Sequence, residues 1–428
     1  MKNWSSTYEF TAPRIVAPES IAEVQRIVAG ASRVRALGTR HSFNGIADTT
    51  GTLLDVTALP EEITIDAAAG TVTASGNTRY GVVAAALERE GLALHNMGSL
   101  PHISVAGAIA TGTHGSGNRN GNLSTAVRAL EIVGADGELR TVRQGDPDFP
   151  GSVVALGALG VTTRVTLAVQ PRYLVRQDTY RNLPWDTLLD RFAEVSGGAY
   201  SVSVFTVWAS DEVEQLWVKR RVDDEGATVP DDYFGAVRDL EERPELVEGI
   251  SENLTRRGTV VPWLFGLPHF RLDTPPSAGD EIQSEYFVDI ADAGPALTAI
   301  RGLADRVAPH LTLTELRTMS ADDLWLSPAT GRDSLAIHFT WMNHPDEVFA
   351  LLPAIEDALR PFGARPHWAK LNRFEPAQAA DLYPRLGDMR DLVLRTDPQG
   401  KFRNEYLERV LGLEGGGELP EVTAPMGA

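Results

Sequence analysis

The sequence contains no cysteine. Disulfides, thiolate nucleophiles, zinc–thiolate sites and iron–sulfur clusters are therefore excluded. No apolar run approaches the ~20 residues that cross a bilayer, and Met1 to Phe10 is polar, without the basic start and apolar stretch of a signal peptide. The expectation is a cytoplasmic protein with no membrane partner. Basic charge is scarce, since 39 Lys and Arg face 58 Asp and Glu for a net charge of −19. With no Lys/Arg run to offset phosphate repulsion, no nucleic-acid partner is expected. The common nucleotide signatures are missing too: there is no G-x-G-x-x-G fingerprint in the glycine-rich stretch and no Gly-Lys-Ser/Thr after it.

What is present is a chain of 428 residues, 43% hydrophobic, long enough for two or three domains. It is organised around Met97 to Gly117, which reads Met-Gly-Ser-Leu-Pro-His-Ile-Ser-Val-Ala-Gly-Ala-Ile-Ala-Thr-Gly-Thr-His-Gly-Ser-Gly. Small residues let backbone approach a ligand closely, and successive amides in such turns form concavities suited to phosphates. Ile103, Val105, Ile109 and Ala110 interleave apolar side chains that a solvated linker does not need. A diphosphate carrying a ring system would fit.

The pattern predicts a helix from Pro18 stopped near Gly30, strands at Val34–Leu37 and from Leu53, a hairpin of Glu62–Asp66 and Thr71–Ser75, and a helix over Tyr80–Glu90. Val127–Gly134 and Glu138–Val142 form a second hairpin across Asp136-Gly137. Val153–Leu159 reads as a short helix, Val161–Val169 as an alternating strand and Pro171 as a boundary. Further strands are expected at Tyr200–Trp208, Glu214–Arg220, Ile282–Val288, Leu311–Thr318 and Leu335–Trp341, and helices at Ala296–Val307, Val348–Leu359 and Asp381–Leu394. Val222 to Pro276 reads as acidic and irregular. Strands with helices on one face make an α+β domain.

Glu315 and Arg317 are two apart on one strand and His338 and Thr340 two apart on the next, so each pair shares a face. Taken alone, the first pair would be a half-exposed ion pair. Together with Lys370 the four would make a polar wall, costly to bury unless it met a polar ligand, and a polyhydroxylated substrate would satisfy it. His41, in a Gly-Thr-Arg-His-Ser-Phe turn, is a nucleophile available at neutral pH. A metal triad of His41, His102 and His114 matches no ligand spacing, and no metal is expected.

At these residues the chain is similar to a known family. Gly38-Thr-Arg-His-Ser-Phe-Asn, the Gly98–Gly117 stretch, Gly157-Ala-Leu-Gly-Val and Asp397-Pro-Gln-Gly-Lys-Phe resemble the vanillyl-alcohol oxidase family of flavoproteins in its sugar-oxidase branch. Gln283-Ser-Glu-Tyr, Glu315-Leu-Arg-Thr, Trp325-Leu-Ser-Pro, His338-Phe-Thr-Trp and Pro366-His-Trp-Ala-Lys extend the likeness to the alditol (xylitol) oxidases. The resemblance implies an α+β chain with a PCMH-type FAD-binding domain (1–171), a second α+β substrate domain (172–378) and a C-terminal segment (379–428) docking back on the first.

It also implies FAD linked covalently to His41 through its 8α-methyl and lined by Ala36, Leu37, Gly38, Thr39, Arg40, Ser42, Ser99, Ser104, Gly107, Ala108, Ile109, Ala110, His114 and Val161. Ser99, Glu315, Arg317, His338, Thr340 and Lys370 match the substrate pocket, with Arg317, Lys370 and Glu315 as catalytic residues. The implied reaction oxidises the terminal primary alcohol of xylitol or sorbitol to the aldose by hydride transfer to flavin N5, with O2 reduced to hydrogen peroxide, in a monomer. Gly98 would leave room for oxygen. The alternatives are an aldonolactone oxidase or dehydrogenase of the same fold and a non-catalytic polyol- or flavin-binding protein.

Overall fold

The computed structural model describes residues 1–222, 229–240, 254–274, 281–374 and 376–413. Three sheets organise it. Arg14–Val16, Thr52–Asp55 and Val34–Leu37 form a small parallel sheet in that order, and Ile63–Asp66, Thr71–Ser75, Val161–Ala168, Val127–Val133 and Leu139–Arg143 form an antiparallel one. Val161–Ala168 alternates between buried and half-buried positions, as a strand with one covered face should.

The third sheet has ten strands and contains the whole second half of the chain's strand pattern. Its centre runs Leu174–Pro184, Glu212–Val222, Ser201–Thr206, Leu311–Met319, Ser334–Met342 and Glu281–Asp289. Neighbours are antiparallel, so side chains two apart stay on one face across the sheet. Leu316, Ile337, Phe339, Trp341, Ile282 and Tyr286 point to a face covered by the helices Trp185–Gly197, Ala293–Arg301 and Pro345–Leu359, where they share one apolar core. The intervening residues Glu315, Arg317, His338, Thr340 and Glu285 are left for the opposite face. Ser334–Met342 is buried at every position but the last, because both of its faces are covered.

Several expectations are corrected. Val153–Leu159 is not a helix; the helix is Phe149–Val153, with Pro150 in its first turn, and beyond it Leu156 and Gly157 adopt positive φ of 55° and 70°. The helix expected at Ala296–Val307 is two, Ala293–Arg301 and Ala304–Val307. The one at Asp381–Leu394 is split into Pro376–Leu382 and Leu386–Thr396 around Pro384, whose ring cannot continue a helix. The strand Leu174–Pro184 and the helix Trp185–Gly197 were not foreseen, because Arg176-Gln-Asp-Thr179 looks like solvent-facing chain, whereas Asp178 is buried and paired with Arg176 at 3.0 Å. Within the stretch read as irregular, Asp232–Tyr233, Ala236–Asp239 and Val260–Pro262 are edge strands of the large sheet. The remainder of it, at 223–228, 241–253 and 275–276, lies outside the described residues, as does 414–428 of the C-terminal segment.

The end of the described chain returns to its beginning. The Asp397 carboxylate accepts from the amides of Lys401 and Phe402 at 2.8 Å, shaping a turn whose Lys401 carbonyl accepts from the amide of Val34 at 2.8 Å. Lys401 donates to the carbonyls closing the first helix, Val28 and Ala29, at 3.1 and 2.9 Å. Arg35, 3% exposed, donates to the carbonyls of Gly157 and Phe402 at 2.9 Å, to Leu156 at 2.8 Å and to Ile46. Four distant segments are thus tied by one guanidinium, which burial pushes down to about 10. Arg35→Met would leave these carbonyls without their donor and is expected to lower unfolding stability by about 3 kcal/mol or more, read from urea denaturation; a shift under about 0.5 kcal/mol would remove Arg35 from the account of how the segments are joined.

Candidate functional site

One cavity, open at its mouth, runs between the first two sheets and the free face of the large one, with a volume of about 320 Å³, within the ~300–1,000 Å³ typical of small-ligand pockets. Its floor comes from the stretches singled out in the sequence. Ala36 to Phe43 runs along it, with Arg40 at φ 62°, and Gly98, Ser99, Ser104, Gly107, Ala108, Ala110, Thr111 and His114 form the adjoining surface. Two glycines are needed for the close approach. A Cβ on Gly38 would come within 2.6 Å of Ser104 Oγ, and one on Gly76 within 2.5 Å of the Thr162 carbonyl oxygen.

His41 lines the cavity with Nδ1 3.0 Å from Thr39 Oγ1, and the indole of Trp4 stacks on its ring at 5.3 Å. Burial pushes its pKa down to about 4, leaving a neutral imidazole with Nε2 uncommitted among the described residues. Ile109 and Val161, expected to line the cofactor, do not line the cavity. Ile109 packs in the main apolar core and Val161 against Val24 and Val34, while their neighbours Gly160 and Thr162 reach the cavity instead. His102 is also elsewhere, with Nε2 3.1 Å from the Leu272 carbonyl. No group of three His, Asp or Glu able to hold a metal occurs among the described residues.

The opposite wall is built by strand register. Glu315 lies directly across from His338, and His338 directly across from Glu285, so the three stand in a row. Arg317 and Thr340 are one step along on the same face. Lys370 arrives from the loop after Arg365–Pro366, held by the His367 carbonyl accepting its amide at 3.0 Å. The structure therefore brings Ser99, Glu315, Arg317, His338, Thr340 and Lys370 together on one cavity.

At the centre is Glu285, a residue the sequence reading did not single out. It is fully buried, and its carboxylate accepts from Lys370 Nζ at 2.7 Å and Arg317 Nη2 at 2.9 Å, with His114 Nε2 at 3.1 Å. Burial would push Glu285 up, but Lys370, His114, Arg317 and His338 outweigh it and hold its carboxyl well below the usual range. The same carboxylate, with Glu315, keeps Arg317 charged against burial. Arg317 also donates to Ser99 Oγ at 3.2 Å, and Lys370 Nζ lies 2.6 Å from His338 Nδ1. His338 Nε2 is 3.1 Å from Thr340 Oγ1.

His269, Gln283 and His367 also line the cavity and were missed. Gln283 and Glu285 obey the same two-residue spacing as Glu315 and Arg317, on the strand beside His338, so the rule that found one pair could have found the other. His269 sits in the stretch read as irregular, where no periodicity marks it.

A floor of small residues, with glycine where segments pack too closely for a Cβ, facing a row of buried charges, fits a flat cofactor beside a small polar substrate. The geometry fits a class of two-part cofactor enzyme, in which one half would offer the cofactor floor and a sheet from the other the substrate wall. Comparison with known proteins agrees. Residues 12–143 match the FAD-binding domain model and residues 280–410 the D-arabinono-1,4-lactone oxidase model. The chain is 42% identical to an alditol oxidase of Streptomyces sp. over 96% of this chain and 98% of the relative, 31% identical to an L-gulono-1,4-lactone dehydrogenase of Mycobacterium tuberculosis (96% and 98%), and 25% identical to mouse L-gulonolactone oxidase (96% and 97%). Cholesterol oxidase from Brevibacterium sterolicum shares the fold, with a TM-score of 0.78 over 96% of both chains at 16% identity. The chain belongs to the vanillyl-alcohol oxidase family of FAD-dependent oxidoreductases, in the branch that holds alditol and aldonolactone oxidases, and FAD is its cofactor.

The buried histidines give the apoprotein an acid limit. His41, His269 and His338 are each pushed down to about 4, chiefly by burial, whereas unfolded imidazoles take up protons near ~6.5. Between those values the unfolded chain binds more protons, so stability falls as pH drops from about 6.5 to 4; His95, His102, His114 and His367, also lowered by burial, add to this, while Asp322, pushed up to about 6 by burial, and Glu356, raised by burial, oppose it. Melting temperatures followed over that range should decline, and less steeply in His338→Gln; an equal slope in the two proteins would contradict the assignment.

Proposed function

We propose that this chain is an FAD-dependent alditol oxidase that takes the terminal primary alcohol of xylitol or sorbitol to the aldose. The observation that carries the reading is the row Glu315, His338 and Glu285 with Arg317 and Lys370, a buried polar wall facing the cavity floor formed by Ala36–Phe43 and Gly98–His114. Each hydroxyl of an open-chain polyol both donates and accepts, so such a wall can hold several at once and rejects analogues lacking one. The relative at 42% identity carries the same activity in its name.

When bound, FAD supplies a hydride acceptor at N5, and its reoxidation by O2 yields hydrogen peroxide. The chain's own residues do the rest. Lys370 and Arg317, already fixed by Glu285, present positive charge to the oxygen of the hydroxyl whose carbon gives up the hydride, the kind of preorganised donor worth roughly 3 kcal/mol in a transition state, and the proton of that hydroxyl is released to water. Glu315, Thr340, His338 and Ser99 bind the remaining hydroxyls and set the register of the carbon chain. On the cofactor side, the Ala36–Ser42 loop and the Ser99–His114 surface hold the flavin, and His41, neutral and backed by Trp4, is the nucleophile for covalent attachment at the 8α-methyl. Two domains meeting at this cavity, 1–171 and 172–378, with 379–428 returning to the first, a monomeric state and a cytoplasmic location complete the proposal. No helix among the described residues is long and apolar enough to cross a membrane.

The lactone-oxidase match over 280–410 supports a second reading, an aldonolactone oxidase or dehydrogenase. Visible spectra under nitrogen separate the two: xylitol or sorbitol is expected to bleach the flavin and L-gulono-1,4-lactone to do so poorly, and the reverse order would transfer the function to lactones. After acid precipitation the yellow colour should stay with the protein and move to the supernatant in His41→Ala; colour in the parent's supernatant would remove the covalent link.

Gly98 adjoins Ser99 on the cavity floor, and a Cβ there would meet its nearest protein atom, Thr113 Cγ2, at 3.5 Å. The protein can therefore accommodate alanine, and any effect falls on the space above the floor. Gly98→Ala should slow reoxidation by O2 while sparing reduction by xylitol in stopped-flow traces; equal loss in both half-reactions would refute an oxygen path at this residue.

A further inference from the structure

Behind Glu315 lies a chain of ionisable groups to which the reaction outlined above assigns no part. His269 Nε2 is 2.6 Å from Glu315 Oε1, and on the far side of the ring Nδ1 is 3.1 Å from Lys219 Nζ. Lys219, on Glu212–Val222, is 1% exposed, and His269 and Glu315 are likewise buried. The other donors of the Lys219 ammonium reach the backbone carbonyls of Leu267 and Pro268. The ammonium is thus directed at the Leu267 carbonyl oxygen and the ring nitrogen, with the Pro268 carbonyl oxygen 3.5 Å away, and an ammonium has no acceptor capacity.

That arrangement decides the tautomer. An ionised Glu315 has no hydrogen to give, so the hydrogen of the neutral ring sits on Nε2 and is donated to it, which leaves Nδ1 to accept from the Lys219 ammonium. Glu315 in turn is held ionised: burial would raise its pKa, but Arg317 and His269 outweigh this and hold it far below the usual carboxylate range. Its Oε2 lies 3.5 Å from Arg317 Nε, and Glu315 lines the cavity. The same device recurs across the wall, where Lys370 faces His338 Nδ1 and His338 Nε2 faces Thr340. In each case a lysine sets a histidine, and the histidine sets the group that meets the substrate.

Resting on the reading of this cavity as a polyol oxidase site, we propose that Lys219 and His269 are positioning residues that lock Glu315 as a pure hydrogen-bond acceptor and so fix which polyol hydroxyl must donate to it. Neither needs to touch substrate through its ammonium or Nδ1; they act through Glu315. Burial pushes Lys219 down to about 7 against the pull of Glu315, with Arg257 and Arg317 adding to the fall, so the ammonium is the weak member of the relay and the one most exposed to a change in its surroundings.

The test compares FAD-loaded parent, His269→Phe, His269→Gln and Lys219→Met, with xylitol and a series of deoxy-xylitols as probes. Glutamine can place an amide hydrogen near the position of Nε2; phenylalanine fills the space without one. His269→Phe is expected to raise KM for xylitol about tenfold, the loss of one hydrogen bond to a charged group, and by more than it lowers kcat. His269→Gln should recover most of that loss, and Lys219→Met should raise KM in the same direction by a smaller factor. One deoxy-xylitol, lacking the hydroxyl that meets Glu315, should be penalised in the parent and much less so in His269→Phe. Equal KM values in parent and His269→Phe, a glutamine variant no better than phenylalanine, or deoxy penalties identical in every variant would each overturn the proposal. If xylitol fails to reduce the parent while L-gulono-1,4-lactone succeeds, the proposed function falls, and the KM and rescue comparison repeated with the lactone still decides whether the relay positions Glu315.

Discussion

The site depends on one buried carboxylate. Without Glu285, Lys370 would lose its carboxylate partner and Arg317 would keep only the more distant Glu315 at 3.5 Å, and poorly paired charge in a largely buried site is among the most expensive things a fold can hold. With it, each cation has a partner within 3 Å and a set direction. The ammonium and guanidinium are then fixed before any substrate arrives, so that no reorganisation remains to be done when charge develops on a hydroxyl. Strand pairing, in turn, fixes Glu285: its neighbour across the sheet is His338, whose own neighbour is Glu315. A slip of one residue in any of these three strands would turn the row into the helix-covered core.

Much of this was legible in the sequence, and for a common reason. Glu315 with Arg317 and His338 with Thr340 could be paired because strand geometry has a period of two, and the Met97–Gly117 stretch stood out because small residues have few other uses in such density. What was not legible depended on pairing between distant segments. Glu285 becomes central only once Glu281–Asp289 is known to lie beside Ser334–Met342. His269 comes from chain with no periodic signal, and Lys219 looks like an ordinary surface residue of a strand until Leu267 and Pro268 are seen to cover it. Leu174–Pro184 was obscured by its polar centre, which the fold buries. The failed helix at Val153–Leu159 was a local misreading, since two residues of positive φ cannot be inferred from apolar spacing.

The two sides of the cavity solve different physical problems. The floor must come close to a large planar ligand, which calls for small side chains, and it is made of a strand end, the short helix Val105–Ala110 and the loops beside them, with Arg35, Asn404 and the Asp397 turn holding the first of these in place. The wall must discriminate among small polar molecules, which calls for charged side chains held rigidly, and it is made of adjacent strands. Lysine and histidine are used twice there in the same order, so that proton positions as well as heavy atoms are specified.

The return of residues 397–404 to the first sheet has a consequence for how the protein is made. The loop that carries His41 is braced through Arg35 by the carbonyl of Phe402 and through the Gly45–Asp48 turn by Asn404, partners some 360 positions later in the chain. A ribosome releases the N-terminal sheets long before those residues emerge. The cradle can therefore acquire its final shape only after residues 397–404 have been made, so that its bracing follows the synthesis of the whole polar wall. A chain truncated shortly before Asp397 would carry every residue of the polar wall and still lack a properly braced floor.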